Sequence, residues 1–170
     1  MSTIQPTHRI LGIDPGLNIT GYGLIEVTDD RPQIVEAGVV RSKRNQSFPK
    51  RLASIFNGID DVIKSLKPDC VGIEELYSHY QRPKTSIIMG HARGVICLAA
   101  ELNNVEVQNY AATQIKRVLT GNGRAPKNQM QLAVTRHLNL DEIPEPPDVA
   151  DALSIALCHF YLSIRPNSLT

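Results

Sequence analysis

Apolar residues cluster in short runs through the first third of the chain, separated by turn-forming residues, which is the signature of strands. Residues 8–14 form one such run, ending on an acid. A second, Gly21-Tyr-Gly-Leu-Ile-Glu-Val-Thr28, follows a short turn, and a third, 33–41, comes after the breaker Asp29-Asp-Arg-Pro32. Such tight connections predict an antiparallel meander. From about Pro49 the period changes. Leu52, Ile55, Phe56, Ile59, Val62, Ile63 and Leu66 recur at three and four, predicting an amphipathic helix that Pro68 stops. Residues 70–74 read as a buried strand, and 77–85, polar and aromatic without a period, as an exposed loop. A helix rich in small residues follows over 86–102, then a fifth strand over 105–110. Gly121-Asn-Gly123 splits two further helices, 111–120 and 126–138. A proline-rich acidic hinge, 141–147, leads into a last helix, 148–163. The expectation is an α/β domain with a mixed five-stranded sheet, its first three strands antiparallel, flanked by helices.

Length supports one domain over 1–170, with a core from about 8 to 163 and frayed ends. The uncharged apolar stretch Gly94 to Ala100 is far too short to span a bilayer, and the first residues lack an apolar signal core. Cys70, Cys97 and Cys158 sit in apolar runs without metal-ligand spacing, as expected of reduced core thiols in a cytoplasmic protein. The formal net charge of +1 hides a segregation. Residues 79–137 carry eight Lys and Arg against two acids, while the remainder carries ten against fifteen. Such a basic segment beside an acidic remainder suits a polyanion held next to bound cations, although solvated helix faces alone could look the same. Within the segment, Arg82, Lys84 and Arg124 are candidates for phosphate contact.

Four carboxylates narrow the chemistry. Asp14 ends the first strand within Asp14-Pro-Gly16, where Gly16 is expected to permit a conformation other residues resist. Glu74 ends a strand too apolar to face solvent on either side, so its charge needs a partner or a metal; Glu75 points the other way. Asp148 and Asp151 share one face of a first helical turn, where one acid suffices for capping. Each signal alone has a bland explanation: a common turn, a salt bridge, a cap. Together they describe oxygen-only ligands of the kind Mg²⁺ or Mn²⁺ prefer, and two such ions support phosphodiester hydrolysis.

Longer motifs sharpen this. Ile10-Leu-Gly-Ile-Asp-Pro-Gly16 with Thr20-Gly-Tyr-Gly-Leu24, Ile73-Glu-Glu-Leu-Tyr77, Gly90-His-Ala-Arg-Gly-Val95, Tyr110-Ala-Ala and Ile115-Lys116 occur in order. Gly121-Asn-Gly-Arg-Ala-Pro-Lys127-Asn-Gln129 and Asp148-Val-Ala-Asp-Ala-Leu153 complete the series. From about residue 9 to 163 the chain resembles the RuvC family of bacterial Holliday-junction resolvases. The resemblance implies an RNase-H-like fold, a homodimer, and Mg²⁺-dependent paired nicking of four-way DNA junctions in homologous recombination and DNA repair. It implies that Asp14, Glu74, Asp148 and Asp151 are the catalytic, metal-holding acids, with two ions per subunit. Lys116 and Lys127 take the family's basic positions, Lys127 also in catalysis. Tyr77 takes the place of an aromatic that stacks on a junction base, with Tyr where Phe is familiar. A RuvA-RuvB branch-migration complex is the implied partner.

The residues read alone leave Lys116 as a solvated face, Arg93 as a structural cation paired with an acid, and His79, His91 and His137 as surface or dimer residues. His159 is placed outside the site. Lys127 at a helix start, where a cation is unfavourable, favours a bound phosphate. Two other readings stay open: an actin-like ATPase or sugar kinase, which needs a second domain this length does not accommodate, and a junction-binding scaffold without catalysis.

Overall fold

The computed structural model describes residues 7–76 and 83–166. Five strands form one sheet: β1 (His8–Asp14), β2 (Ile19–Thr28), β3 (Arg31–Arg41), β4 (Cys70–Glu74) and β5 (Glu106–Tyr110). Five α-helices accompany them: α1 (Phe48–Leu66), α2 (Pro83–Leu102), α3 (Ala112–Thr120), α4 (Lys127–His137) and α5 (Pro147–His159). A π-helical turn, Phe160–Ile164, continues α5. The sheet order is β3-β2-β1-β4-β5; β1 pairs antiparallel with β2 and β2 with β3, while β4 is parallel to β1 and to β5. The expected mixed sheet with its antiparallel opening is therefore present.

Alternation along the strands sorts two cores. Leu11, Ile13, Leu24, Val71 and Ile73 pack with α1 and α2, whose inner faces include Ile55, Ile59, Ile63, Ala92 and Ile96. Ile10, Ile25 and Val27 pack on the other face with Ile115, Val134, Leu153 and Phe160, from the α3–α5 side. Asp14 shares the parity of Ile10, and Glu74 pairs with Tyr110 of that second core, so both acids belong to the α5 face.

Some boundaries differ from the sequence expectation. Residues 83–85, expected in a loop, form the first turn of α2, because Pro83 fits a helix start. The strand β3 begins at Arg31 and tolerates Pro32 because it is an edge strand; only Asp29 and Asp30 turn, both at positive φ. Among the described residues α2 is long and apolar enough to cross a membrane. Here its small apolar residues Ala92, Ala99 and Ala100 serve close packing in the core it shares with α1.

What aims the site is a row of glycines. Gly23, Gly12 and Gly72 lie in register across β2, β1 and β4. A Cβ at Gly12 would stand 2.0 Å from the Ala152 carbonyl oxygen and 2.8 Å from the Ala156 nitrogen. One at Gly23 would meet Leu153, and one at Gly72 would meet Ile155. Gly21, the neighbour of Asp14 in register, lies against the backbone and Cβ of Asp148. Helix α5 thus rests on bare backbone, closer than side chains would allow.

Candidate active site

The carboxyl ends of β1 and β4 bring Asp14 and Glu74 together, and the glycine groove sets the first turn of α5 over them. Asp14, Glu74, Asp151, Lys116 and Lys127 line one cavity of about 250 Å³, together with Ala112, Ile115, Met130 and Ser154. Asp148 does not line it, yet its charge adds to the repulsion at Asp14. Burial, then the charges of Asp151, Glu74 and Asp148, push the Asp14 carboxyl up to about 7 against the opposing charge of Lys127. Burial and Asp151 likewise raise Glu74, opposed by Lys116. These acids crowd one another at a cost that a cation would relieve.

Lys127 Nζ donates to Asp151 Oδ2 at 3.1 Å, and this bond raises the lysine's pKa. The cation at the start of α4 is therefore matched within the chain by an acid, where the sequence predicts a phosphate. Neither Asp148 nor Asp151 caps α5: the cap position is Pro146, without a side-chain hydrogen bond. Capping leaves both acids unexplained.

Surrounding groups hold the acids in place. Thr20, fully buried, donates from Oγ1 to the Gly16 carbonyl at 2.8 Å and closes the turn after Asp14. Gly16 corrects an expectation: its φ is not positive, and glycine is required because a Cβ would stand 2.0 Å from the Ile19 carbonyl oxygen. Arg93 donates from Nε to the Glu74 carbonyl at 3.2 Å and from its other end to the Asn109 amide oxygen, a structural role in which, among the described residues, no acid pairs with it. Ser154, one turn after Asp151, donates to its carbonyl at 2.6 Å; the i, i+3 spacing is the only sequence signal for it. Glu75 is exposed and its amide bonds the Tyr110 carbonyl.

Other candidates fall elsewhere. Lys84 and Arg124 are exposed and do not line the cavity. Tyr77, Arg82 and His79 lie outside the described residues. His137 is bonded to the Tyr161 hydroxyl at 2.7 Å and near the Leu119 carbonyl, a structural role; His91 is exposed and stacks edge-on with Phe48. His159 is buried, bonded to Tyr110 Oη at 2.7 Å and Cys70 Sγ at 3.2 Å, outside the cavity. The three cysteines are free, and burial pushes Cys70 and Cys158 up to about 12, so both are inert thiols.

As donors, the acids fit a hard divalent cation, offering only oxygen. Among the described residues no group of three or more His, Cys, Asp or Glu is placed to hold a metal ion by itself. Mg²⁺ does not need one, since it commonly takes one or two carboxylates and fills its shell with water and substrate phosphate.

A family model described as crossover junction endodeoxyribonuclease RuvC matches residues 10–159. A crossover junction endodeoxyribonuclease RuvC from Rhodopirellula baltica is 54% identical over 157 residues, covering 92% of this chain and 88% of its own. The structure of Thermus thermophilus RuvC aligns with a TM-score of 0.84 at 31% identity, covering 92% of this chain and 96% of that one. T. thermophilus RuvC in complex with a Holliday junction substrate aligns with a TM-score of 0.85 at 31% identity, covering 95% and 97%.

Proposed function

The chain belongs to the RuvC family of crossover junction endodeoxyribonucleases, an RNase-H-like Holliday-junction resolvase, and from that premise we propose that Asp14, Glu74, Asp148 and Asp151 hold its catalytic metal. The observation that carries the reading is the gathering of three of these acids with two lysines in one cavity. Mg²⁺, two ions per subunit with Mn²⁺ able to substitute, would supply activation of water and stabilisation of the leaving oxygen. The protein's own part is to position and to bind. Lys116 and Lys127 face the cavity and offer charge to the scissile phosphate. Lys127, kept protonated by Asp151, acts as a fixed positive charge rather than as a proton donor. Lys84, Arg124 and Arg82 add phosphate contacts, and Tyr77 stacks on a base.

Lys127→Ala is expected to lower single-turnover nicking by roughly 10²–10³-fold, with Lys127→Arg recovering part of it. Equal rates for Ala and wild type would remove the lysine from catalysis.

The enzyme acts as a homodimer, one domain per subunit. Support comes from the outer face of α2, where Ile87, Leu98 and Leu102 are 60%, 50% and 62% exposed along one stripe with Gly94 between them. Leu98→Glu is expected to yield monomers in sedimentation analysis and to lose paired nicking. A dimer unchanged by this substitution would place the interface elsewhere. The reduced thiols fit work on DNA in the cytoplasm, beside a RuvA-RuvB branch-migration complex.

The test of the function is nicking of a labelled four-way junction and of linear duplex, each with Mg²⁺ and with EDTA. Symmetric paired nicks on the junction alone, lost in EDTA, are the expected result. Tight junction binding without nicks in any divalent metal would leave a binding scaffold.

A further inference from the structure

The lysines of the cavity come from α3 and α4. At the β3 edge of the sheet the connection from β3 into α1, residues 41–51, contains Arg41, Lys43, Arg44, Lys50 and Arg51 and no acid. Arg41, Lys43, Arg44 and Lys50 are exposed, and among the described residues none of their side chains forms a hydrogen bond or ion pair. Arg51 is different. It donates from Nε to Ser42 Oγ at 3.1 Å, and from its terminal nitrogen to the Leu17 carbonyl at 3.3 Å and to the Asn18 amide oxygen. Ser42 also donates from its amide to the Asn18 carbonyl at 3.1 Å and from its hydroxyl to Leu17. The segment is thereby bolted to the loop that follows Asp14.

Register places it. Asp14 pairs with Gly21 and Gly21 with Val39, so Arg41 lies two strands across and two residues further toward the end of the sheet that bears the acids. With strands about 4.8 Å apart and a rise of about 3.3 Å per residue, its Cα is roughly 12 Å from that of Asp14. The cations whose charge acts on Asp14 and Glu74 are Lys127 and Lys116, so those of this connection do not serve as counterions to the carboxylates. Four unpaired charges on a braced connection match instead a partner of dense, repeating negative charge, and a DNA duplex carries one phosphate per about 1.7 Å of axis.

Resting on the resolvase reading, we infer that Arg41, Lys43, Arg44 and Lys50 form a second phosphate-binding surface, which holds the duplex arm that leaves the cleft over the β3 edge. The protein then grips the backbone at two places, with the cavity lysines and with this connection at the β3 edge.

The experiment measures junction affinity by anisotropy in EDTA across a salt series, for wild type, Lys43→Gln/Arg44→Gln, and a matched control, Lys64→Gln/Lys67→Gln, at the far end of the sheet. The first variant is expected to bind roughly 10- to 100-fold more weakly at 0.1 M salt and to lower the salt slope by about two, with melting unchanged. The control is expected to match wild type. An unchanged slope in the first variant overturns the proposal. An equal loss in the control also overturns it, since net charge alone would then explain the effect. Failure of the wild type to bind or nick junctions, read on that protein alone, would overturn the resolvase reading and this surface with it.

Discussion

Asp14→Asn is expected to abolish junction nicking, by at least about 10³-fold, while making the metal-free protein more stable at pH 8. Both effects share one cause. Folding places Asp14 among Asp151, Glu74 and Asp148 with little water, which raises its pKa from 3.8 to about 7. A carboxyl raised on folding keeps its proton in the native state after the unfolded chain has lost it. The associated stability is fully present below 3.8 and is lost as pH rises through about 7. A rise of that size corresponds to a difference on the order of 4 kcal/mol between the two ends of that window. Asn imitates the protonated acid at every pH, so its advantage over wild type appears above neutrality and vanishes in acid. Thermal melts in EDTA at pH 5 and pH 8, beside single-turnover cleavage, read both effects. Identical melts for the two proteins at pH 8 would contradict the crowding of the acids, and residual nicking at the wild-type rate would remove Asp14 from the chemistry.

Gly12→Ala is expected, with Gly21→Ala, to be among the costliest single methyls added to the sheet. Its Cβ would meet the backbone of α5, at the Ala152 carbonyl and the Ala156 nitrogen, and a helix backbone cannot rotate aside as a side chain does. Overpacking typically costs about 1–3 kcal/mol, and here the value is expected at or above the upper end. For a chain of this size that is a fall of roughly 6–12 °C in melting temperature. Because α5 carries Asp148 and Asp151, any variant that still folds is expected to lose about 10²-fold in nicking, the consequence of displacing catalytic groups by about 1 Å. The check is to compare it with Gly72→Ala in the same groove, whose Cβ would meet a side-chain methyl of Ile155 at 3.0 Å rather than helix backbone. Similar melting and cleavage in the two variants would show that the groove has slack.

The strands are legible in the sequence because their apolar runs are bounded by turn residues, and strand-end acids can be read directly. Parity along β1 and the pairing of Glu74 with Tyr110 then put Asp14 and Glu74 on one face. The spacing of Asp148 and Asp151 shows that they share a helix face, but not which strands that helix crosses. That information lies in Gly12, Gly21, Gly23 and Gly72, whose common purpose emerges only when the strands are set in register. Gly16 misleads for a related reason: a glycine demanded by a close neighbour looks, in sequence, like one demanded by a turn. The basic connection 41–51 is hidden because its charge sums with an acidic remainder. The pairing of Lys127 with Asp151 joins residues 24 apart in sequence, and no local pattern announces it.

Arg93 joins two things that a resolvase must coordinate. It is next to Gly94 on the helix that carries the exposed apolar stripe, and its guanidinium grips the carbonyl of Glu74. In a dimer built on that stripe, each reaction centre is wired to the symmetry axis through one side chain. A single nick leaves the four arms of a junction still joined; only two cuts within one encounter release two duplexes. In such a dimer, wiring this short would let subunit pairing and the placement of Glu74 rise and fall together, and a lone subunit would be a poor nicking enzyme.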